Sequence, residues 1–330
     1  MKKNIACHLG DYLEGIFKGG NIDEGLLDTW LAEDTHTNLE HATWELSVEH
    51  VSNAIRFANN SAPGPDGIPY SAYAAIPDAC KILHAVATSM QSDSCKTPLD
   101  FNLANMCCLP KKPVQNLECG APVYSCEQTR PLSLVNTDNR LLAGAYKLAV
   151  EPIFAPSVSA VQRGFLKGRS MNANILDMEL LSRSASLNHR RPAMVFYDFK
   201  AAFPSVNHQY IWKVLTAVGT SRSFLNAFKG FYKGNWQKIL LRGTQSRLFL
   251  VSCGIRQGCP LSPLLFAVVI DVFLRRLYRR HLTITLRAFA DDIGLVVQHI
   301  SHLVAVQFDF LAFAKISGLH LNLPKTTLVP

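Results

Sequence analysis

Along this chain, stretches in which apolar residues recur every three or four positions alternate irregularly with short, nearly continuous apolar runs. The first pattern predicts helices packed by one face, and the second predicts buried strands. The predicted helices cover 47–57, 70–91, 139–151, 172–187, 207–218, 221–233, 260–280 and 301–316. The predicted strands cover 106–110, 193–199, 238–243, 246–254, 286–289, 293–297 and a final pair within 319–329. Because the two kinds of element do not alternate one for one, the predicted fold class is α+β.

Turn-forming and capping residues mark where several of these elements begin and end. Ser47 and Ser262 each precede a helical pattern and are predicted N-caps, and Pro263 suits the first helical position. The run NNSAPGPDGIP (59–69) is so rich in turn formers that it is predicted to be a fixed loop. Residues 1–45 are polar and mixed, and they are predicted to be helical in part.

Composition indicates a folded protein with an anionic partner. The chain has 330 residues, of which 48% are hydrophobic and 18% charged, as in globular proteins of one large or two ordinary domains. A net charge of +8 favours a negatively charged partner, and nucleic acid is the common one. The longest apolar run, 261–274, contains Asp271 and is too short to span a bilayer, so no membrane partner is expected.

Cysteine usage favours a soluble protein in a reducing, intracellular compartment, because the nine cysteines are scattered and odd in number. A zinc site could be drawn from Cys107, Cys108, Cys119 and Cys126, but these residues lack the CxxC pair that is typical of such sites. The disfavoured zinc site is therefore kept only as an alternative.

Two adjacent acids interrupt an otherwise apolar segment, RAFADDIGLVV (287–297). The flanking runs predict two strands, so a tight hairpin would carry Asp291 and Asp292 at its tip. Two neighbouring carboxylates repel unless a cation neutralises them, and Mg²⁺ takes such oxygen ligands together with substrate phosphates. Asp198, at the end of the predicted strand 193–199, is the candidate third acid. The plainer alternative is a solvated hairpin tip without a ligand.

Eight segments, in order, resemble the motifs of reverse transcriptases from non-LTR (LINE-type) retrotransposons and their group II intron relatives. The four that resemble palm motifs are VFYDFKAAFPSVNH, GIRQGCPLSPLLFAVVID, RAFADDIGLVV and GLHLNLPKTTLV. The four upstream segments, which resemble fingers motifs, are SAPGPDGIPYSAY, CCLPKK, TRPLSLVNTDNRLLAGAYK and QRGFLKGRSMNANILDM. The resemblance covers about residues 47–330 and implies an RNA-directed DNA polymerase with a right-hand fold, in which an antiparallel palm sheet packs on helices.

The resemblance also implies a role for each matching residue. Asp198 and Asp291 would bridge two Mg²⁺ ions, with Mn²⁺ as a substitute; Asp292 would be the adjacent acid, and the carbonyl of Phe199 would complete one shell. The residues that would contact the incoming nucleotide or its phosphates are Lys111 or Lys112, Arg130, Phe203, Gln257, Gly258 and Lys325. The residues that would line the template path are Arg163, Gly164, Phe165, Lys167 and Arg169.

Two of these assignments carry specific expectations. The ring of Phe203 would occupy the space of a ribose 2′-hydroxyl and so favour deoxynucleotides, although a simple core position is the alternative. Lys325 would donate a proton to the departing pyrophosphate. The segment between Lys112 and Arg130 is longer than the tight link expected in the family, which leaves the choice of lysine open.

The resemblance predicts three segments: an N-terminal extension (1–46), fingers with part of the palm (47–190) and palm (191–330). The chain ends five residues after Lys325, so a thumb is expected to be absent, together with endonuclease segments of a full-length element. The implied partners are an RNA template, a DNA primer and dNTPs, and the implied location is nuclear. The competing hypotheses are an inactive RNA-binding palm scaffold and a related RNA polymerase, which Phe203 disfavours.

Overall fold

A computed structural model of the chain describes residues 2–35, 38–241 and 243–330. Its helices are α1 (Lys2–Phe17), α2 (Glu24–Asp34), α3 (Val48–Arg56), α4 (Tyr70–Ala75), α5 (Ala79–Met90), α6 (Thr137–Ser157), α7 (Met171–Asn188), α8 (Ala202–Ser205), α9 (His208–Ala217), α10 (Arg222–Gly230), α11 (Ser262–Arg280) and α12 (His302–Ser317). Its strands are β1 (Ala104–Pro110), β2 (Gln115–Asn116), β3 (Pro122–Val123), β4 (Thr129–Val135), β5 (Ala193–Tyr197), β6 (Trp236–Leu241), β7 (Thr244–Gln245), β8 (Phe249–Leu250), β9 (Ile284–Phe289), β10 (Asp292–Val297) and β11 (Thr327–Val329). The prediction of an α+β class is confirmed.

The chain divides into two compact units, each made of three segments. The first unit comprises Met1–Gly19, Trp44–Ala149 and Arg222–Ser262. The second unit comprises Gly20–Thr43, Val150–Ser221 and Pro263–Pro330. The division into extension, fingers and palm that the sequence suggests stays a prediction.

The first unit is built on a mixed sheet with strand order β4-β1-β6-β7, and β8 also pairs with β6. β1 runs antiparallel to β4 and parallel to β6. Apolar positions of α1 spaced at helical intervals, Leu9, Leu13 and Phe17, pack with Met106 and Ile239 of the sheet. The predicted helical character of the N-terminal residues is thereby confirmed, and α1 contributes directly to this core.

The second unit is built on an antiparallel sheet with strand order β11-β5-β10-β9. Met178 and Ala185 of α7 pack against Val296 of β10. Elsewhere in the unit, the Trp30 indole of α2 stacks on the rings of Phe273 and Phe313 at centroid distances of 6.3 and 6.2 Å. The predicted antiparallel sheet packed on helices is confirmed in this unit.

The predicted N-cap of α3 is confirmed because capping chemistry is local, whereas α11 begins at Ser262 itself, one residue before the predicted first helical position. Ser47 caps α3: its hydroxyl accepts the N–H of His50, while the His50 ring accepts the N–H of Ser47. The single helix predicted over 70–91 is wrong, since α4 and α5 are separated at Ile76–Asp78. Pro77 explains the break, because a residue that precedes proline is disfavoured in the helical region, and Ile76 is extended with ψ 116°.

Other boundaries depend on pairing partners. Of the strand predicted over 246–254, only Phe249–Leu250 pairs with β6. The final predicted strand pair becomes a 3-10 turn at Leu323–Lys325 followed by β11, because Pro324 interrupts the ladder. The nine cysteines are free thiols. Within the described ranges, no helix has both the length and the apolar character needed to cross a membrane.

Candidate active site

Two of the predicted catalytic acids, Asp198 and Asp292, lie across from each other at one end of a strand pair in the second unit. β5 pairs antiparallel with β10, with Tyr197 opposite Ile293. The residues one step further along this register are Asp198, directly after β5, and Asp292, the first residue of β10. Asp291 lies one residue earlier, in the turn between β9 and β10. A strand-end acid and a hairpin-tip pair, distant in sequence, are therefore brought to one end of the sheet.

The electrostatics of this arrangement are unfavourable without a counter-charge. Partial burial raises the pKa of the Asp292 carboxyl, and the negative charge of Asp198 raises it further, while Lys325 opposes the shift. Like charges placed opposite each other on paired strands destabilise a sheet. The fold thus concentrates negative charge at this position instead of dispersing it.

The segment before β11 approaches Asp198 from the other side. Asn322 donates its side-chain Nδ2–H to Asp198 Oδ2 at 2.8 Å and its backbone N–H to the Asp198 carbonyl at 2.7 Å. Lys325 Nζ lies 3.6 Å from Asp198 Oδ2, and most of the lysine side chain is exposed. Asp198 is consequently held between the acidic turn and an exposed cation. Sequence reasoning identified Lys325 but missed Asn322, although it begins the NLPKTT segment.

The donor set suits a hard cation, because it consists of carboxylate oxygens. Within the described part of the chain, however, no group of three or more His, Cys, Asp or Glu side chains is arranged so as to hold a metal ion. Asp198 and Asp292 could therefore supply only part of a coordination shell.

The acidic turn packs against the segment QRGF (162–165). The residue that bonds the turn is Gln162, which was not among the predicted site residues. Gln162, with no exposed surface, bonds both backbone polar groups of Ala290 in the turn. Gly164 fits against the same turn, since a Cβ at this position would overlap the backbone nitrogen of Ala290. The sequence signal for this contact was limited to a glutamine two residues before a glycine in the QRGF segment.

The predicted template-contacting cations of the second unit differ in their surroundings. Arg163 donates to Asp177 Oδ2 at 2.8 Å, and Arg287 of β9 donates to the same oxygen at 2.7 Å. Arg169 donates four hydrogen bonds to the backbone carbonyls of residues 155, 158, 159 and 162. Lys167 is exposed. Arg163 and Arg169 thus contribute to the fold, and their contact with a template stays a prediction.

Aromatic rings surround the predicted sugar-contacting residue. The Phe203 ring stacks on Phe266 at 4.5 Å and meets the Phe165 ring edge-on at 5.9 Å. Phe165, at φ 63°, is partly exposed and also approaches Phe289 at 6.4 Å. Phe199, in contrast, is buried. Phe203 is half-buried, so its ring is supported from one side while part of it remains accessible.

In the first unit, the predicted nucleotide-contacting turn is held against β4. The carbonyl of Gln257 accepts the N–H of Ser133 at 3.0 Å. Gly258 has φ 101°, and a Cβ there would lie 3.0 Å from the Ser133 carbonyl, so the turn requires glycine. Gln257 Oε1 is buried and has no hydrogen-bond partner among the described residues. An acceptor of this kind is unfavourable unless a donor reaches it.

Arg256, which sequence reasoning did not single out, supports this turn from inside the first unit. Its buried guanidinium donates to Asn139 Oδ1 at 3.2 Å, to Asn102 Oδ1 at 3.1 Å and to the Phe231 carbonyl at 2.6 Å. Burial lowers the pKa of Arg256. The partners of this charge are neutral oxygens.

The predicted phosphate-binding cations of the first unit are exposed near one end of the β1–β4 pair. The backbone N–H of Lys111 bonds the Gln128 carbonyl at 2.8 Å, so Lys111 and Arg130 are diagonal neighbours across two strands. Lys112 follows directly. The long segment between them is accommodated by a small hairpin of β2 and β3. The structure therefore brings the three predicted cations together.

Comparison with known proteins assigns the chain to a family. The family model described as reverse transcriptase (RNA-dependent DNA polymerase) matches residues 109–330. The chain belongs to the reverse transcriptase family.

The relatives within that family are retrotransposon proteins. The chain is 26% identical over 293 residues to the Transposon TX1 uncharacterized 149 kDa protein of Xenopus laevis. The matched region covers 86% of this chain and 22% of that protein. It is 29% identical over 296 residues to the Pol polyprotein of the retrotransposable element R2DM of Drosophila melanogaster. This second match covers 86% of this chain and 26% of that protein. The predicted resemblance to non-LTR elements is confirmed, and the chain spans about a quarter of the length of these two relatives.

The fold is shared with telomerase. A structure of apo telomerase from Candida tropicalis, truncated from its C-terminal domain, matches with a TM-score of 0.51 at 11% identity, over 79% of this chain and 62% of that one. Candida tropicalis telomerase in complex with a fragment of telomeric RNA also gives a TM-score of 0.51, at 13% identity, over 71% and 42% of the two chains. The predicted right-hand polymerase fold is confirmed.

Proposed function

We propose that this chain catalyses RNA-templated DNA synthesis by two-metal nucleotidyl transfer. The observation that carries the proposal is the meeting of Asp198 and Asp292 on paired strands, with Asp291 in the adjoining turn. In a member of the reverse transcriptase family, this concentration of carboxylates has a direct purpose. The cost of placing like charges together is recovered when divalent cations bind with the triphosphate.

Asp198 and Asp291 would hold the ions, Asp292 would add negative charge beside them, and the Phe199 carbonyl would complete one shell. When bound, two Mg²⁺ ions stabilise the charge on the attacking and leaving oxygens of an in-line displacement. The incomplete protein shell is compatible with this role, since Mg²⁺ usually retains water and substrate phosphate oxygens. Asn322 would keep Asp198 in one orientation through its 2.8 Å hydrogen bond.

Lys325 is proposed to protonate the departing pyrophosphate. Its ammonium group lies 3.6 Å from Asp198 Oδ2 and is largely exposed, so it could reach a leaving group bound at the acids. A lysine beside developing negative charge can donate its proton as the bond breaks.

We propose roles in nucleotide selection for Phe203 in the second unit and for the Gln257–Gly258 turn in the first unit. Phe203 would exclude a 2′-hydroxyl, because its ring is supported by Phe266 and cannot easily yield. Gln257, whose buried Oε1 lacks a donor among the described residues, would contact the nucleotide together with Gly258. The exposed cations proposed to grip the triphosphate are Lys111, Lys112 and Arg130.

The proposed partners are an RNA template, a DNA primer and dNTPs. The family resemblance implies a template path. It would run along Arg163, Gly164, Phe165, Lys167 and Arg169. Exposed Lys167 and the partly exposed ring of Phe165 support it best, because cations track the backbone and aromatic faces stack on bases.

Primer extension on poly(rA)/oligo(dT) with purified protein and Mg²⁺ tests the proposal. We expect incorporation by the unmodified chain and its loss in Asp291→Ala, with both proteins melting at similar temperatures. The control is Asp28→Asn, which removes an exposed carboxylate of α2 that pairs with Lys213.

The competing function is an RNA-binding scaffold without turnover. Retained RNA binding with no incorporation in either the unmodified chain or Asp291→Ala would favour the scaffold and contradict the polymerase.

A further inference from the structure

We propose that Gln162 is a positioning residue that fixes the backbone of the acidic turn and thereby aims Asp291. The inference deepens the proposed function and rests on it for its catalytic meaning. Its structural part, a clamp on the turn, can be tested without any turnover.

The clamp consists of three hydrogen bonds made by one buried amide. Gln162 Oε1 accepts the N–H of Ala290 at 2.8 Å and the N–H of Gly164 at 2.8 Å. Gln162 Nε2 donates to the Ala290 carbonyl at 3.0 Å. Both backbone polar groups of Ala290 are therefore bonded to a single side chain 128 positions away in sequence.

The turn needs such a partner because of its conformation. The β9–β10 ladder closes at the pair of Phe289 and Asp292, which leaves Ala290 and Asp291 as the two turn residues. Ala290 has φ 57°, a left-handed conformation that residues with a Cβ disfavour. Strained backbone persists only where its surroundings determine it, and strain of this kind clusters at functional sites. The side chain of Gln162 supplies that constraint one residue before Asp291.

Gln162 is itself anchored to the strand that leads into the turn. Ala288 of β9 donates its N–H to the Val161 carbonyl at 2.8 Å and accepts the N–H of Arg163 at 2.8 Å. Gly164 then packs so closely on Ala290 that no side chain fits between them. The clamp and the turn are thus joined through backbone on both sides of Gln162, so a shift in one is transmitted to the other.

A neutral amide suits this position for an electrostatic reason. The turn presents one donor and one acceptor, and glutamine matches both without carrying charge. A lysine or arginine here would cancel negative charge needed for cation binding, whereas a glutamate would add repulsion beside Asp291 and Asp292. Asparagine has the same amide on a shorter stem. The chemistry of the turn therefore favours a neutral amide at this position.

The test uses the full chain with Gln162→Met, which keeps volume and removes the hydrogen bonds, and Gln162→Glu, which keeps an acceptor and loses the donor when ionised. The matched control is Tyr210→Phe, which removes one buried hydrogen bond to the Val269 carbonyl in the same unit. Steady-state primer extension, thermal melting and amide hydrogen exchange of the segment around Ala290 are measured for each protein.

In Gln162→Met we expect faster amide hydrogen exchange around Ala290. We also expect the turnover rate to fall by roughly ten- to hundredfold, as it does when reacting groups are slightly misplaced. The KM for dNTP should change little, and the Mg²⁺ concentration needed for half-maximal rate should rise. Relative to the unmodified chain, Gln162→Glu should recover activity as the pH falls, because a protonated carboxyl can again donate to the Ala290 carbonyl. Tyr210→Phe should melt earlier without any of these changes.

Unchanged exchange around Ala290 in Gln162→Met would overturn the clamp. A loss of turnover no larger than in Tyr210→Phe, with the same Mg²⁺ dependence, would overturn the positioning role. Failure of the proposed function looks different: the unmodified chain would show no incorporation, while exchange around Ala290 would still respond to Gln162→Met.

Discussion

Two turns, one in each compact unit, present the residues to which function is assigned, and they are built differently. The turn at Ala290–Asp291 in the second unit is fixed by the neutral side chain of Gln162. The turn at Gln257–Gly258 in the first unit is fixed by its own glycine and by hydrogen bonding to β4. The acidic turn thus tolerates a strained alanine because it is clamped from outside, whereas the other turn avoids strain by using glycine.

The arginines near the two turns extend the comparison. In the first unit, Arg256 is buried among neutral oxygens. In the second unit, Arg163 faces a carboxylate, Asp177, and Arg169 bonds backbone carbonyls. The arginines therefore support the fold in different ways, and the charge of Arg256 is solvated by neutral oxygens instead of being paired with a carboxylate.

Removing a catalytic charge should cost most. Asp198→Asn is expected to lower turnover by about a thousandfold or more, because the carboxylate that would stabilise transition-state charge through bound cations is lost. The fold should survive, since the new amide can still accept the Asn322 hydrogen bond. Single-nucleotide incorporation rates and melting temperatures check both statements. Full activity in Asp198→Asn would remove the acidic site from the mechanism.

Removing the buried guanidinium should cost the most stability. Arg256→Met removes three hydrogen bonds to buried oxygens, of which Asn102 Oδ1 keeps a second donor in the Asn139 amide, and we expect a loss of roughly 2–4 kcal/mol in the free energy of unfolding. Arg163→Met, at a partly exposed ion pair, should cost about 1 kcal/mol or less. Urea unfolding of both variants measures the difference. Equal losses would show that the two arginines are not held in different ways.

Replacing the glycine that packs in or against each turn by alanine should lower turnover by different amounts. Gly164→Ala forces a Cβ into the backbone of Ala290, and we expect turnover to fall by roughly a hundredfold. Gly258→Ala combines a strained φ with Cβ contacts of 3.0 Å to Leu132 and to the Ser133 carbonyl, and a smaller loss of about tenfold is expected because this overlap is less severe than the one at Gly164. Gly15→Ala, in α1 with open space around it, is the control. A larger loss in Gly258→Ala would reverse the contrast.

The aromatic cluster of the second unit should affect selectivity more than rate. Phe203→Val opens space beside Phe266, and we expect the efficiency of ribonucleotides relative to deoxynucleotides to rise by about tenfold. Phe196→Val, at a partly exposed ring on β5, should leave the ratio unchanged. The ratio of kcat/KM values is the measurement, and an unaltered ratio in Phe203→Val would make this ring a core residue only.

The smallest effect concerns stability and pH. A carboxyl whose pKa is raised in the folded state is stabilised there when protonated and costs stability once ionised, so Asp292 opposes folding above its raised pKa. Asp292→Asn should therefore raise the melting temperature near neutral pH by about a degree. The difference should vanish as the pH falls below the ordinary carboxyl range. A lower melting temperature at neutral pH would contradict this sign.

Much of the site was predictable because its signals are local. An acid at the end of an apolar run and two acids between apolar runs identify Asp198, Asp291 and Asp292 without any structure. The α3 start at Ser47 and the glycine of the Gln257 turn likewise depend on neighbouring residues only. The break at Pro77 was also encoded locally, and it was overlooked because the helical period continues across it.

Residue types and their local order are enough to identify the acids, the ends of the strands and the family that the motifs resemble. Which polar groups contact one another follows only from the folded chain, since Gln162 reaches Ala290 across 128 positions and Asn322 reaches Asp198 across 124. Local propensity is set by neighbouring side chains and dihedral angles, whereas a long-range hydrogen bond depends on the register of a whole sheet. No short motif contains that register, and for this reason the residues that position the acids emerged only from the fold.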